Sequence, residues 1–328
     1  MWFENLTGFK ETSPAQIRSK LVMNGNTMTS MVNGRSMICG RLETPSLAEL
    51  RSRVQKNPPP SGPLKIREVV GDARSLHTDV SNTNALFQVA SQFNLLEMPG
   101  PSVTPEEGIS SYEGDHTQGP ACAVAAGAGT IYRNYFAPVN GQTGQSGDNQ
   151  IDCLRDLGIA LGNNDERLWT MQNGYALATA AGLEEISHQI NSMNEDQRDA
   201  LRQQLRIGIQ WDTQVTLDGC EHLVSQAYCS ALPVGYSKLP SDLWKAFAQL
   251  VLEASYEATL CVALLNFTRT GNNKAYLTLI GGGVFGNELS WIVAAIRRAT
   301  EIYSDAGIDI AIVSHGVSNP HIRDLKDF

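Results

Sequence analysis

The sequence is poor in charge of either sign and poorest in positive charge. Of 328 residues 18% are charged, and 25 Lys and Arg stand against 34 Asp and Glu, for a net charge of −9. With no basic excess to neutralise phosphates, a general nucleic-acid binder or an anionic-membrane binder is excluded, so neither is expected as a partner. A single polyphosphate ligand is not excluded, because backbone amides at a helix end can hold one whatever the net charge. Low charge together with 42% hydrophobic residues also excludes a disordered chain and supports a full core. No C-x-x-C pair occurs among Cys39, Cys122, Cys153, Cys220, Cys229 and Cys261, so zinc-site spacing is absent and reduced, mostly buried thiols are expected. The opening MWFENLTGFKETS lacks a basic region followed by an apolar run, and no stretch of about 18 apolar residues exists. These absences predict a soluble, cytoplasmic protein without a metal or other cofactor.

What is present is alternation. Residues 1–63 read as an N-terminal extension, with a hairpin turned at Asn33-Gly34 and a short helix, LAELRSRV, begun at Thr44-Pro45-Ser46. The segment NPPPSGP (57–63) can continue neither helix nor strand, and the main domain, 64–328, is placed after it. From there strands and helices alternate. LKIREVVGD and ALFQVASQF read as strands, ACAVAAGAGTIYRNYF as a helix of close-packing small residues, and 137–150 as a polar loop. Beyond them lie LRDLGIAL, a short helix or strand, helical EEISHQINSMNEDQRDALRQQL interrupted at Asn194-Glu195-Asp196, strand CEHLVSQAYCSALPV, and the long helix DLWKAFAQLVLEASYEATLCVALLN. The strand AYLTLIGGGVFGN, an amphipathic helix and the strand IDIAIVSHG close the chain. Such alternation predicts an α/β fold, a three-layer α/β/α sandwich around a mixed central sheet.

Three stretches carry chemistry. Gly281-Gly282-Gly283-Val284-Phe285-Gly286-Asn287 follows a buried strand and opens a helix, so its amides can approach a phosphate; the bland alternative is a tight turn. It has no Gly-Lys-Ser/Thr and is no Walker A. Gly71-Asp72-Ala73 ends the first main-domain strand, where a carboxylate can accept from an exocyclic amine or cap a helix. The glycine-broken loop from Glu107 through Tyr112 and Asp115 to Thr117 sets carboxylates before the small-residue helix. There they could serve glycosidic cleavage, or merely cap.

The order of these stretches resembles a divergent macrodomain over roughly residues 64–316, with insertions near 95–117 and 137–215. Gly71-Asp72 stands at the first strand end, Gln88-Val89-Ala90-Ser91-Gln92-Phe93-Asn94 at the second strand, and Gln118-Gly119-Pro120-Ala121 at the glycine loop. Leu232-Pro233-Val234-Gly235-Tyr236 stands at the later turn and Gly283-Val284-Phe285-Gly286 at the last motif. The combination ASQFNLLEMPGP, D-x-TQGPA and GGGVFGN is similar to the MavL-type branch of macrodomain-like ADP-ribosyl-arginine hydrolases. The resemblance implies ADP-ribose as ligand and an ADP-ribosylated protein as substrate, carried on arginine, with ubiquitin as one such protein. It places Asp72 and Ala73 at the adenine, and Gln92, Asn94, Gln118, Gly119 and Pro120 around the ribose. Residues 281–287 would hold the diphosphate and distal ribose, and Glu107 with Asp115 would act at the scissile bond. Asn-Ala-Ala-Asn and the glycine triplet that normally follows it are missing.

Two other function classes compete. A reader that only binds ADP-ribose would need no carboxylates in 107–115, and an interaction protein that has lost its ligand would need neither Asp72 nor Gly281–Gly283. A papain-like arrangement of Gln118, Cys122, His315 and Asn319 fails on the small apolar surroundings of Cys122, which suit an inert thiol. His222 beside Glu221 lacks a third ligand for a metal.

Overall fold

The structure is a computed structural model that describes residues 1–323 and residue 325. The chain opens with helices α1 (Trp2–Thr7) and α2 (Pro14–Lys20), then an antiparallel sheet of β1 (Leu21–Asn24), β2 (Thr27–Ser30) and β3 (Ser36–Ile38). The turn between β2 and β3 contains Gly34 at φ +73°, a conformation that costs glycine little. Next come β4 (Arg41–Glu43) and α3 (Leu47–Lys56), whose start is fixed by a capping box between Ser46 and Glu49.

Beyond the proline break lie β5 (Lys65–Val70), α4 (Ala73–Thr78), β6 (Leu86–Ala90), α5 (Gln118–Ala125) and α6 (Gly127–Tyr135). A two-residue-stranded hairpin, β7 (Pro138–Val139) and β8 (Gln142–Thr143), precedes α7 (Arg155–Leu161). The hairpin β9 (Trp169–Gln172) and β10 (Tyr175–Ala178) leads to α8 (Ala180–Ser192) and α9 (Glu195–Arg202). The remaining elements are β11 (Gly208–Gln214), β12 (Leu223–Cys229), α10 (Ser241–Thr270), β13 (Lys274–Leu277), α11 (Leu289–Ile302), β14 (Asp309–Ser314) and α12 (Pro320–Arg323).

Seven strands form the central sheet in the order β4-β11-β12-β6-β13-β14-β5. The five from β12 to β5 run parallel, and β11 is antiparallel to both neighbours, so the sheet is mixed as expected. Consecutive strand residues face opposite sides, and both sides are covered. Gln88 of β6 donates to Thr259 of α10 at 2.8 Å on one face, while Phe87 stacks on His77 of α4 at 3.8 Å on the other. Burial holds the His77 imidazole down to about 4, so it is neutral in the core. The chain is therefore a three-layer α/β/α sandwich.

Three readings of the sequence are refined. The break at 57–63 separates neither sheets nor cores, since β4 before it pairs with β11 and Arg51 of α3 binds Asp199 bidentately at 2.7 and 2.8 Å. The small-residue segment is two helices, not one, because Ala126 leaves helical geometry at ψ 57°. Its glycines do allow close packing: a Cβ on Gly127 would meet the Trp2 ring at 2.7 Å. Third, α10 has the length and composition to cross a membrane, yet 83% of its apolar window is buried between α3, α8, α11 and the sheet. All six cysteines are free, and all but Cys220 are buried.

Candidate active site

A cleft of about 350 Å³ opens where β6, β12 and β13 end, at their carboxyl edge. Open α/β sheets place ligands there because the connecting loops diverge from adjacent parallel strands. Its walls come from the segments after these strands and from the start of α5.

The loop after β13 forms one wall. Gly281, at φ +75°, could not carry a side chain, since a Cβ would lie 2.5 Å from that of Ala231. The loop is closed by Asn287, whose backbone amide donates to the Gly281 carbonyl at 2.9 Å and whose buried Nδ2 donates to the Leu232 carbonyl at 2.8 Å. The amides of Gly282, Gly286 and Asn287 are used internally. Those of Gly281, Gly283, Val284 and Phe285 donate to no acceptor among the described residues, and these same four residues line the cleft. Unused amides on successive residues of a cleft wall are donors available to an anion. Beside them Tyr175, Tyr236 and Phe285 form an aromatic wall, with ring centroids 5.0 to 5.5 Å apart.

The loop after β6 builds the opposite wall. Gln92 turns the chain back on itself: its Oε1 accepts from Met98 N at 2.8 Å and its Nε2 donates to Met98 O at 3.2 Å. Leu95 takes φ +66° inside this turn. The result places Glu97 in the cleft wall, 3% exposed, with both carboxylate oxygens buried and without a hydrogen-bond partner among the described residues. Its backbone amide is fixed by the Tyr112 hydroxyl at 3.0 Å. Burial pushes the Glu97 carboxyl up to about 8, against an opposing pull from Arg133, so it is protonated at neutral pH. Gly119 allows this arrangement: a Cβ there would collide with the Ala90 carbonyl and approach Glu97 Cγ to 3.1 Å. Asp115 lines the same cleft, with Oδ1 accepting from the amide and hydroxyl of Thr117 at 2.8 and 2.7 Å.

No protein-family model matches the chain, and no curated protein matches it. Among solved structures the chain is similar to poly(ADP-ribose) glycohydrolase from Thermomonospora curvata, at 10% identity and a TM-score of 0.46, over 95% of this chain and 94% of that one. It is also similar to the poly(ADP-ribose) glycohydrolase from Deinococcus radiodurans in complex with ADP-ribose. That match has 12% identity and a TM-score of 0.43, over 87% of this chain and 90% of that one.

The residues singled out in the sequence divide into two groups. Gln92, Asp115, Gln118, Gly119, Pro120, Gly281, Gly283, Val284 and Phe285 meet at the cleft. Gln118 acts there as a brace, accepting from Ala90 N at 2.9 Å and donating to Gln88 O at 2.8 Å. Asp72, Ala73, Asn94, Glu107, Gly282, Gly286 and Asn287 do not line it. Asp72 caps α4, its Oδ1 accepting from the amides of Arg74 and Ser75. Asn94 is buried against Gln150 at 2.7 Å. Glu107 is exposed and caps its own turn through Thr104 N at 3.1 Å, so the expected pairing with Asp115 across a bond is not formed. The short turn PEEG satisfies its own amides, which is why the carboxylate faces outward. Glu97 was not singled out; its signal is a lone carboxylate inside the apolar run FNLLEMPG, which can only be buried or face a cleft. Tyr175 was also missed, although Asn173-Gly174 between two strand-like runs marks its hairpin. The Cys122 thiol is pushed well up by burial, which rules out a reactive thiolate there. Among the described residues no cluster of three or more His, Cys, Asp or Glu side chains could hold a metal.

Proposed function

We propose that this chain is a macrodomain-type ADP-ribosyl hydrolase acting on a modified protein in the cytoplasm, with arginine as the favoured acceptor and ubiquitin as one such protein. The ligand assignment is supported by the sequence resemblance and by four unused amides beside an aromatic wall, a setting for a diphosphate with a flat ring nearby. The observation that carries the activity is Glu97, a residue of the cleft wall whose buried carboxyl is kept protonated at neutral pH and accepts no hydrogen bond among the described residues.

Glycosidic cleavage uses such a group directly. As the bond from the ribose anomeric carbon to the guanidino nitrogen breaks, its electron pair leaves with the nitrogen, which takes the Glu97 proton. The sugar becomes oxocarbenium-like, and the carboxylate of Asp115 at the cleft edge stabilises it and orients water. Water then adds to the anomeric carbon and returns a proton to Glu97, giving free ADP-ribose and free arginine. The test is calorimetry with ADP-ribose, followed by release assays on arginine-, glutamate- and serine-linked proteins. Binding and release from the arginine-linked protein are expected. Binding without release from any of them would leave a reader of ADP-ribose, and absence of binding would refute both readings.

A further inference from the structure

Behind Glu97 lies a second buried ionic group that the reaction above does not use. Arg133 of α6 has no exposed surface, and its guanidinium lies over the Tyr228 ring at 3.7 Å. Nε donates to the Leu95 carbonyl at 3.0 Å, Nη2 donates to Thr130 Oγ1 at 3.2 Å, and Nη1 has no hydrogen-bond partner among the described residues. Nη2 stops 3.7 Å from Glu97 Oε1, outside hydrogen-bond reach. A buried arginine and glutamate with bonding capacity to spare gain most by closing into a bidentate pair. Here Leu95, Thr130 and the Tyr228 ring hold the guanidinium back.

We propose that Arg133 is a positioning residue, a cation pinned behind Glu97 at a distance that stabilises the carboxylate without closing onto it. Its catalytic meaning rests on the hydrolase reading. A closed pair would keep Glu97 ionised and useless as an acid. With no cation, the carboxylate formed on proton transfer would be stranded in a low-dielectric pocket. The pinned spacing meets both needs, and the cation need not move during the reaction. The other groups around Glu97 are Tyr112 from the 110–114 turn, Cys122 of α5, Tyr228 of β12, and Asp115 with Tyr175 in the cleft wall. Burial pushes the three tyrosines and the thiol up, away from neutrality.

The test is a carboxyl carbon-13 NMR titration of the full chain labelled at glutamate, with Glu97→Gln identifying the signal. Arg133→Met is expected to move the Glu97 titration up by a pH unit or more and to slow release from ADP-ribosylated protein roughly tenfold, the equivalent of about one unit. Thr130→Val removes one anchor and keeps the charge; it is expected to move the titration down as the guanidinium closes on the carboxylate. A residue that only packs would not give opposite signs. An unmoved titration, or shifts of the same sign, overturns the proposal. If Arg133→Met does not fold, Thr130→Val decides alone: a downward shift supports the pinned cation, and an unmoved or upward one overturns it. Opposite shifts in the two variants, with a wild-type protein that releases no ADP-ribose, leave the electrostatic role standing and sink the hydrolase reading instead.

Discussion

Replacing Glu97 by glutamine separates stability from catalysis at one atom pair. A carboxyl raised from 4.5 to about 8 binds a proton in the folded chain that the unfolded chain has lost, over that whole interval. Stability therefore falls as pH rises, by about 1.4 kcal/mol per unit, until the folded group ionises near pH 8. Summed over the interval, ionising Glu97 in place costs on the order of 5 kcal/mol. His77 opposes this at lower pH. Held down to about 4 against an ordinary 6.5, it makes stability rise with pH between those values, so the two slopes offset below pH 6.5. The window that isolates Glu97 is pH 6.5 to 8. Urea denaturation at half-unit steps should show the wild type losing stability across it, while Glu97→Gln stays flatter and gains on the wild type toward pH 8. The same variant should release ADP-ribose from arginine-linked protein at least ~100-fold more slowly, with binding of free ADP-ribose little changed. In the wild type, turnover should fall as pH rises through about 8, because the acid must be protonated. A difference between the two proteins that is flat with pH would refute the buried-acid argument. Full turnover in the glutamine variant would refute Glu97 as the proton donor.

Asp115→Ala should lower turnover by at least ~100-fold while Glu107→Gln leaves it within about twofold, and release assays on the two variants check which carboxylate serves the cleft. Asp72→Ala should lose about 1 kcal/mol of stability as a helix cap, read by denaturation; a further loss of about 1.5–3 kcal/mol in ADP-ribose binding, read by calorimetry, would add the adenine role. Gly281→Val should abolish ADP-ribose binding, since its left-handed backbone and the neighbouring Ala231 leave no room for a side chain. Gly283→Ala, with open space at its Cβ, should bind nearly as well as wild type.

Local signals determined the parts whose interactions are local. The helix start at Thr44-Pro45-Ser46, the Asn33-Gly34 turn and the run of small residues each act within a few positions, and the structure has the cap, the hairpin and the close helix contact at those places. The α/β alternation and the mixed sheet were legible for the same reason, since burial periodicity is written along each element. The direction of a loop carboxylate was not. Glu107 and Glu97 lie ten residues apart, one turned outward by its own cap and the other inward by the Gln92 turn and Gly119. The 57–63 break looked like a domain border because proline ends elements locally, yet β4 crosses it to pair with β11, far along the chain. Glu97 took on its acid character only when α5, α6 and β12 closed around it. A pKa is set by what surrounds a group in space, and chain order alone does not fix that.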